Sequence, residues 1–402
     1  MNKKPIRGPI RLLFIQTQAE MAGAQEISRL LGDGLGRERR LNGEPEFEIH
    51  HLFFYRKTSA FDRWRNVHFC LEDSPKGPFS LIAFMSKLVK MIRRIQPDVL
   101  LTFQHYGNIF GAPAGRLAGV PVIVANHVSA PATISTATRA IDKALGLMGV
   151  YDVITVNSNE TWRTYQSYPE RYRKHLVHVP HGFEDKSVNV GRQEARAAFG
   201  LPAGVPLIGS VARLHPLKQL DAAIEVIARR PALHLAIAGQ GPDEGRLRTI
   251  AQDLGVSDRV HLIGDMPPQK VGLFLAGLNV FVFPSAAETF GLAAVEAAQA
   301  GIPVVANDLA VLREVLTING EPCALFADAS NIDDLAAKID IVFRDHQQAA
   351  RMVALGRKLA GLYSVESMVD AYAGIIRNTL GSSAGDAAGT LGPQAAALRS
   401  PR

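Results

Sequence analysis

Short apolar runs recur along the chain, and polar or amphipathic stretches separate most of them. IRLLFI near the N-terminus and NVFVF in the second half are examples. Continuous runs of four to eight apolar residues that are rich in Val and Ile are typical of strands buried on both faces. The predicted strands are 10–15, 47–54, 98–103, 121–125, 152–156 and 176–179 in a first series, and 206–211, 233–238, 259–263, 279–283, 302–306 and 322–326 in a second.

Stretches with helical character lie between most of these strands. Strands that alternate with helices predict parallel sheets covered on both faces, and two series of six are too many for one ordinary doubly wound sheet. The predicted fold class is therefore α/β, with two doubly wound, Rossmann-like domains at 1–190 and 191–363 that join in the polar segment 182–193. The clearest helix predictions are 24–35, 80–95, 217–228, 243–254 and 331–344.

The C-terminal region predicts one more helix and then a tail. Ser364 is a suitable N-cap and Glu366 lies in the first turn, so a helix is expected over 364–380. Residues 381–402 are rich in Gly, Ala and Ser and contain no aromatic residue, which predicts a disordered tail.

Composition narrows the class of protein. The chain has 402 residues, of which 47% are hydrophobic and 20% are charged, as in ordinary globular proteins. Its two cysteines, Cys70 and Cys323, exclude a disulfide framework and offer no zinc-ligand spacing. We therefore expect a reducing, cytoplasmic location. No run of 18 apolar residues occurs, so no transmembrane segment is predicted.

The net charge of +6 is distributed unevenly. Residues 1–190 contain 25 Lys and Arg against 17 Asp and Glu, whereas residues 191–402 contain 19 against 21. This asymmetry predicts an anionic partner for the first half: nucleic acid, an anionic membrane surface or an anionic substrate. The helix FSLIAFMSKLVKMIRRIQ either packs on its own sheet or lies on anionic lipid. Basic residues interleaved with aromatic ones over 56–65 and 162–174 would also suit lipid headgroups.

A pair of glutamates marks the clearest candidate site. Glu288 lies just beyond the strand NVFVF in the sequence PSAAETFGLAAVEA, where open parallel sheets bind ligands. Gly291, near a predicted helix start, lets a ligand approach free N–H groups that attract phosphate. Glu296 follows eight residues after Glu288, a rise of about 10 Å if most of the gap is helical. The pair would hold two ends of an extended ligand; alternatively, Glu288 is a loop carboxylate and Glu296 a solvated helix residue.

Two cations and a glycine turn flank the same predicted pocket. Arg213 and Lys218 in GSVARLHPLKQLD come after a strand and would offer a fork and a point charge to a diphosphate, or else are surface cations. Gly239 and Gly241 in AIAGQGPDEGRL indicate a strand-to-helix turn, because their spacing does not match a dinucleotide fingerprint. His215 is expected to have no role.

Several of these segments resemble one enzyme family. AETFGLAAVEA is similar to the E-x7-E motif of the retaining glycosyltransferases of family four, VARLHPLK to their R-x4-K element, and AGQGPDEGRL to their glycine turn. MAGAQEISRLL resembles their N-terminal glycine loop, VIVANHVS the segment with an active-site histidine, and VPHGFED the interdomain linker. The chain departs from the family pattern at Ala22, His181 and Glu184.

The resemblance implies a GT-B fold, with two Rossmann-like domains facing a central cleft, and a role for each matched residue. Glu288 would contact the donor sugar, Glu296 the ribose, and His127 the donor sugar or the acceptor. Arg213 and Lys218 would neutralise the departing diphosphate. The implied catalytic residues are Glu288, His127, Arg213 and Lys218, and the implied donor-binding residues are Gly23, Gly239, Gly241, Phe290, Gly291, Leu292 and Glu296.

The implied function is transfer of a sugar, with retention of configuration, from a nucleoside-diphosphate sugar to a glycan or lipid-linked acceptor in cell-envelope polysaccharide or glycolipid synthesis. No cofactor or metal is expected, since no D-x-D motif occurs. The expected location is cytoplasmic, either free or peripheral on the inner face of the cell membrane. A nucleotide-sugar epimerase of the same fold is the alternative. A non-enzymatic nucleic-acid-binding protein is a remote one, because no helix-turn-helix, zinc-finger or RNP signature is present.

Overall fold

The chain forms two units in a computed structural model that describes residues 8–20, 22–59, 61–75, 77–130 and 133–382. Unit 1 comprises Met1–Gly182 and Ser364–Arg402, and unit 2 comprises Phe183–Tyr363. The boundary therefore lies earlier in the chain than the predicted 190, because the linker after Gly182 packs with the second unit. Most of the predicted tail lies outside the described residues.

Unit 1 is built on a seven-stranded parallel sheet of order β3-β2-β1-β4-β5-β6-β7. Its strands are β1 Ile10–Ala19, β2 Phe47–Arg56, β3 Val67–Leu71, β4 Val99–Phe103, β5 Val122–His127, β6 Val153–Val156 and β7 Leu176–His178. Its helices are α1 Gly23–Leu35, α2 Pro78–Ile95, α3 Gln104–Tyr106, α4 Ala112–Ala118, α5 Thr136–Leu147, α6 Asn159–Tyr165, α7 Glu170–Arg173 and, at the C-terminus, α17 Val365–Ser382, with a π-helical turn at Gly107–Gly111.

Unit 2 repeats this plan with a six-stranded parallel sheet of order β10-β9-β8-β11-β12-β15 and a separate two-stranded hairpin. Its strands are β8 Leu207–Val211, β9 His234–Ala238, β10 Val260–Gly264, β11 Val280–Phe283, β12 Val304–Asn307, β13 Thr317–Ile318, β14 Glu321–Pro322 and β15 Ala324–Ala327. Its helices are α8 Arg192–Ala197, α9 Leu220–Arg229, α10 Glu244–Asp253, α11 Pro268–Ala276, α12 Leu292–Gln299, α13 Ala310–Val315, α14 Ile332–Arg344, α15 His346–Gly356 and α16 Leu359–Leu362, with a 3-10 turn at Pro216–Lys218.

The apolar runs become the central strands of both sheets. Every residue of β4 and of β11 is buried, as expected for parallel strands with helices on both faces. In both units the strand order reverses between the first strand and the fourth, β1 and β4 in unit 1 and β8 and β11 in unit 2. The prediction of two doubly wound, Rossmann-like units is confirmed, and this order places a ligand site beyond the carboxyl ends of those strands.

Helix α17 returns the chain to unit 1 and packs on α1. Gly34 allows the close approach, since a Cβ there would lie 2.2 Å from Cγ2 of Val369. Arg377 forms a salt bridge with Glu46 at 2.6 Å. The predicted N-cap is present, because the Ser364 hydroxyl accepts a hydrogen bond from the Ser367 N–H at 3.0 Å.

The largest difference from the predicted elements is β3, which the sequence pattern does not reveal. Its sequence VHFCL is short, contains a polar histidine and forms the sheet edge, so it lacks the continuous apolar run of the central strands. The strand predicted at 322–326 is divided between β14 and β15. Among the described helices, none combines the length and apolar character that a bilayer crossing requires.

Candidate functional site

In unit 2, two loops meet at the point where the strand order reverses. One comes after β8 and carries Arg213 and Lys218, and the other comes after β11 and carries Glu288. The backbone N–H of Ala286 donates to the carbonyl of Leu217 at 2.8 Å, so the two loops are joined directly. The topology therefore brings the predicted cation and the predicted carboxylate to one place.

Lys218 and Glu288 form the central pair of this site. The Lys218 ammonium lies 2.5 Å from Oε1 of Glu288, and both side chains are mostly buried but still reached by solvent. The ammonium also lies 5.5 Å from the ring centroid of Phe283, the last residue of β11. A lysine held in this way is a preorganised positive charge at the carboxyl edge of the sheet.

His215 does have a structural role, contrary to the prediction. Its Nδ1 accepts a hydrogen bond from the backbone N–H of Leu217 at 3.2 Å and thereby caps the 3-10 turn Pro216–Lys218. The cap fixes the start of the short turn that ends at Lys218. Capping side chains are usually Ser, Thr, Asp or Asn, so a histidine cap was not to be expected from the sequence.

Gly239 and Gly241 bring the turn after β9 against the Arg213 segment. Gly239 has φ +136, and a Cβ at that position would lie 1.9 Å from the carbonyl oxygen of Ala212. A Cβ at Gly241 would lie 2.1 Å from the carbonyl oxygen of Leu214. Both glycines are thus required by close backbone packing beside Arg213, which is half-buried.

Helix α12 begins at the same edge, with Gly291 as its N-cap at φ +80. A Cβ on Gly291 would lie 2.3 Å from Cδ2 of Leu312, so glycine is required both by the backbone and by packing. The helical hydrogen bonds begin with the N–H groups of Ala294 and Val295, which donate to the Gly291 carbonyl at 3.0 and 3.2 Å, so the N–H groups of Leu292 and Ala293 precede them. Phe290 is buried against Tyr363, with 5.1 Å between ring centroids, so its side chain belongs to the core.

Glu296 lies on α12 and is only 7% exposed. The helix starts at Leu292, so only half of the gap from Glu288 is helical, which corrects the predicted rise. The Glu296 carboxylate lies 3.9 Å from the buried ammonium of Lys186, and this ammonium also contacts the Glu184 carboxylate at 3.2 Å. The prediction missed Lys186 because it lies in a linker more than a hundred residues away in sequence.

In unit 1, the loop after β1 leads directly into α1. Gly23 is the first helical residue, and a Cβ added there would meet no described atom within 4 Å. Packing within the described residues therefore does not require glycine at this position, unlike Gly291. The N-cap residue is Ala22, which offers no side-chain acceptor to the helix N–H groups.

The chain after β4 is unusual in its backbone. Gln104 adopts the left-handed conformation at φ 65, and the π-helical turn Gly107–Gly111 begins three residues later. A Cβ on Gly107 would lie 3.3 Å from the carbonyl oxygen of Ile15 in β1. Non-glycine residues at positive φ and π-helical turns are concentrated at functional sites. No sequence pattern predicts the left-handed backbone at Gln104 or the π-helical turn.

His127 ends β5 and is 6% exposed. Its Nδ1 lies 2.6 Å from the Tyr165 hydroxyl, and its Nε2 lies 3.4 Å from the Tyr172 hydroxyl and 3.5 Å from Oδ1 of Asp142. Burial lowers the pKa of His127, against an opposing effect of Asp142, which favours the neutral ring. The predicted site histidine is therefore held on both ring nitrogens by groups of unit 1.

His181, which replaces the family's usual asparagine, is buried beside the strand end of β6. Its Nε2 lies 2.8 Å from Nδ2 of Asn157, so the neutral ring accepts the amide hydrogen bond. Burial lowers the pKa of His181 to about 3. The substitution thus keeps a polar contact at this position.

The two basic and aromatic clusters of the first half, at 56–65 and 162–174, bury part of their aromatic side chains. Phe61, Tyr165 and Tyr172 are buried in the core, while Lys57 pairs with Glu20 at 3.0 Å. Helix α2 buries one apolar face, in agreement with the first of its two interpretations. It nevertheless leaves large apolar side chains exposed at its start.

Comparison with known proteins gives the family. The model described as glycosyl transferases group 1 matches residues 191–359, and the model described as glycosyl transferase 4-like matches residues 56–144. The D-inositol 3-phosphate glycosyltransferase of Nocardia farcinica (strain IFM 10152) is 30% identical over 358 residues, which are 81% of this chain and 78% of that protein. The lipopolysaccharide core biosynthesis glycosyltransferase LpsE of Rhizobium meliloti (strain 1021) is 32% identical over 178 residues, 44% of this chain and 51% of that protein.

Solved structures agree on the fold. HepE of Anabaena, solved in complex with UDP and glucose, superposes with a TM-score of 0.77 at 17% identity, covering 92% of this chain and 100% of that one. The chain therefore belongs to the group 1 glycosyl transferases and is a glycosyltransferase of the GT-B fold.

Proposed function

We propose that the protein transfers a sugar, with retention of configuration, from a nucleoside-diphosphate sugar to a hydroxyl of a glycan or lipid-linked acceptor in cell-envelope polysaccharide or glycolipid synthesis. The observation that carries the proposal is the Lys218–Glu288 pair at the strand-order reversal of unit 2. Solved structures of HepE contain UDP and UDP-glucose, which supports the donor class.

The pair suits a reaction whose difficulty lies in the leaving group. Lys218 and Arg213 neutralise the charge that develops on the diphosphate, and the N–H groups of Gly291 and Leu292 donate to its oxygens. When the Lys218 ammonium binds the diphosphate in place of Glu288, the Glu288 carboxylate can accept hydrogen bonds from the donor-sugar hydroxyls. Glu296, held by Lys186, accepts from the ribose.

The proposed reaction needs no general base from the protein. The bond between the anomeric carbon and the diphosphate oxygen breaks, and the acceptor oxygen bonds to the same face of that carbon. The acceptor proton passes to an oxygen of the departing diphosphate. No metal is required in this scheme, because Arg213, Lys218 and the start of α12 supply the positive charge.

We further propose that α2 attaches unit 1 to an anionic bilayer, where a lipid-linked acceptor would be found. At the start of the helix, Phe79 is 86% exposed and Ile82 is 68% exposed. Lys87, Lys90 and Arg94 are exposed further along the same helix, which contains no acidic residue. Apolar side chains followed by cations suit insertion beside anionic headgroups.

The donor class is tested by a thermal-shift panel of UDP-, GDP- and ADP-sugars on the full chain. We expect one base to raise the melting temperature, because a ligand that binds only the folded state stabilises it. The donor so found is then incubated with candidate acceptors, and the anomeric configuration of the first product is read by NMR. Inversion would exclude the retaining mechanism, and an epimerised sugar formed without acceptor would replace transferase by epimerase.

The site is tested with two lysines of unit 2. Lys218→Ala removes a charge at the proposed diphosphate, so kcat should fall by about 10²–10³. Lys270→Ala removes an exposed lysine from α11 and should change kcat by less than about twofold. Equal rates for the two variants, at unchanged melting temperature, would remove Lys218 from the site.

A further inference from the structure

A buried lysine of the linker, Lys186, lies between two carboxylates of unit 2. It is 7% exposed, and its ammonium lies 3.2 Å from Oε2 of Glu184 and 3.9 Å from Oε1 of Glu296. We propose that Lys186 is a positioning residue that orients Glu296 toward the two neighbouring hydroxyls of a ribose, and so sets how strongly the donor site prefers a ribose to a sugar without them. The identity of the ribose rests on the proposed function; the fixed position of the lysine does not.

The main chain of Lys186 is held by two helices of unit 2. Its N–H donates to Oε1 of Gln299 at 3.2 Å, and Gln299 lies one turn after Glu296 on α12. Helix α11 is also in direct contact, since a Cβ on Gly272 would lie 2.2 Å from the Lys186 carbonyl oxygen. The side chain of Lys186 therefore starts from a fixed point beside α12.

The residues around Lys186 attach the linker to the same helix by different groups. The Asp185 carboxylate accepts hydrogen bonds from Nε2 of Gln299 at 2.5 Å and from the Ser187 N–H at 2.7 Å. These bonds do not involve Glu296. Attachment of the linker and orientation of Glu296 can therefore be tested separately, by substitutions at neighbouring positions.

The two carboxylates around the Lys186 ammonium differ in burial. The side chain of Glu184 is 46% exposed and that of Glu296 is 10% exposed. Water stabilises an exposed carboxylate, whereas a buried one needs a partner, so the lysine matters more to Glu296. At 3.9 Å the contact is an electrostatic attraction and not a hydrogen bond. Lys186 thus orients the Glu296 carboxylate without itself occupying one of its acceptor positions.

An oriented carboxylate matches a pair of neighbouring hydroxyls, because each of its oxygens can accept a hydrogen bond from one of them. A carboxylate that must first be ordered loses part of this binding energy. Loss of Lys186 should therefore weaken only those ligands that present both hydroxyls. Glu184, where the chain departs from the family pattern, supplies the nearer counter-charge of the lysine.

Calorimetric titration of the full chain tests this role with UDP, GDP and ADP and with the 2′,3′-dideoxy form of each, which lacks both hydroxyls. For the base that binds the wild type, the ribose form should bind about 10–100-fold more tightly than the dideoxy form, as expected for hydrogen bonds to a charged group. In Lys186→Met this ratio should fall by about 5–20-fold. The two forms carry the same charge, so the lost positive charge cancels in the ratio. An unchanged ratio would overturn the proposal.

The matched control is Asp185→Ala, which removes the hydrogen bond to Gln299 and retains Lys186. Its ratio should stay within about twofold of the wild type, even if its melting temperature falls. Equal losses of the ratio in both variants would make Lys186 part of a structural attachment and overturn its positioning role. Where Lys186→Met does not fold, Lys186→Gln replaces it, because it also removes the charge but keeps a polar end, and the same fall is expected.

The wild type separates failure of this role from failure of the proposed function. If it binds none of the three diphosphates, the proposed function fails, and the role of Lys186 fails with it. If it binds one of them but does not distinguish the ribose form from the dideoxy form, the donor class stands and the role of Lys186 is excluded.

Discussion

The two units share a strand order, but the polar groups at the carboxyl edges of their sheets differ in charge and in burial. Unit 2 gathers charged groups on loops, with Lys218 and Glu288 2.5 Å apart. Unit 1 gathers a phenol, an imidazole and a carboxylate from successive elements, and it buries them around His127. One scaffold therefore supports a partly exposed ion pair in unit 2 and a buried polar cluster in unit 1, and the difference lies in the loops and helices that connect the strands.

The glycines at the two helix starts show the same contrast and give the largest expected effect. Gly291→Ala places a Cβ 2.3 Å from Leu312 at a positive φ, so it should lower the free energy of unfolding by about 2–4 kcal/mol. The Cβ of Gly23→Ala would meet no described atom within 4 Å, and Gly23 has an ordinary φ. This substitution should therefore change the free energy of unfolding by less than about 0.5 kcal/mol. Denaturant unfolding of the full chain measures both.

The Gly23 variant also sharpens the functional side of this contrast. If a diphosphate approaches the start of α1 at Gly23, Gly23→Ala should raise the KM for the donor and leave the free energy of unfolding unchanged. An unchanged donor KM would remove Gly23 from the donor site. A Gly291→Ala protein as stable as the wild type would contradict the packing account of α12.

Acid should destabilise the protein through two buried histidines of unit 1. Burial lowers the pKa of both His51 and His181 to about 3 in the folded state, and both lie in unit 1. Unfolded histidine titrates near about 6.5. Between these values the unfolded chain binds protons that the folded chain does not, so stability falls as the pH drops below about 6.5, by up to about 1.4 kcal/mol per pH unit for each histidine.

His181→Asn isolates one of these contributions. The asparagine can keep a hydrogen bond to Asn157 but does not titrate, so stability should depend less steeply on pH between about 6 and 4. The measurement is the free energy of unfolding at a series of pH values. An identical slope in wild type and variant would show that His181 is not buried as a neutral ring.

The smallest expected effect concerns the surface of α2. Replacing both Phe79 and Ile82 by Ser should reduce co-sedimentation with vesicles that contain phosphatidylglycerol by about 3–10-fold, and added salt should reduce it in wild type and variant alike. Vesicles of phosphatidylcholine alone are the control. Equal binding of wild type and variant to both vesicle types would exclude α2 as the attachment face.

The sequence indicated unit 2 far better than unit 1. Arg213, Lys218, Glu288 and Gly291 lie within a few residues of predicted strand ends, so the topology of parallel sheets was enough to bring their loops together. Because the apolar runs of buried strands are easily recognised, the two-unit architecture was also predictable, whereas the edge strand β3 was not.

The arrangement around His127 was beyond sequence reasoning for a physical reason. Asp142, Tyr165 and Tyr172 lie on three different helices, and no periodicity links them to β5. Helical spacing decides whether a tyrosine faces solvent or core only in a longer helix, and α6 and α7 have seven and four residues. Lys186 was missed for a similar reason, since its partner Glu296 is remote in sequence.

Calorimetric titration of a nucleoside diphosphate tests most directly whether unit 2 binds the diphosphate. UDP, GDP and ADP are titrated into the full-length wild type, Lys218→Ala and Tyr165→Phe. We predict that one of the three binds the wild type, that Lys218→Ala weakens its Kd by about 10–100-fold through loss of a charge-assisted contact, and that Tyr165→Phe changes it by less than about twofold. Unchanged affinity in Lys218→Ala, or an equal loss in Tyr165→Phe, would contradict the assignment of the diphosphate to unit 2.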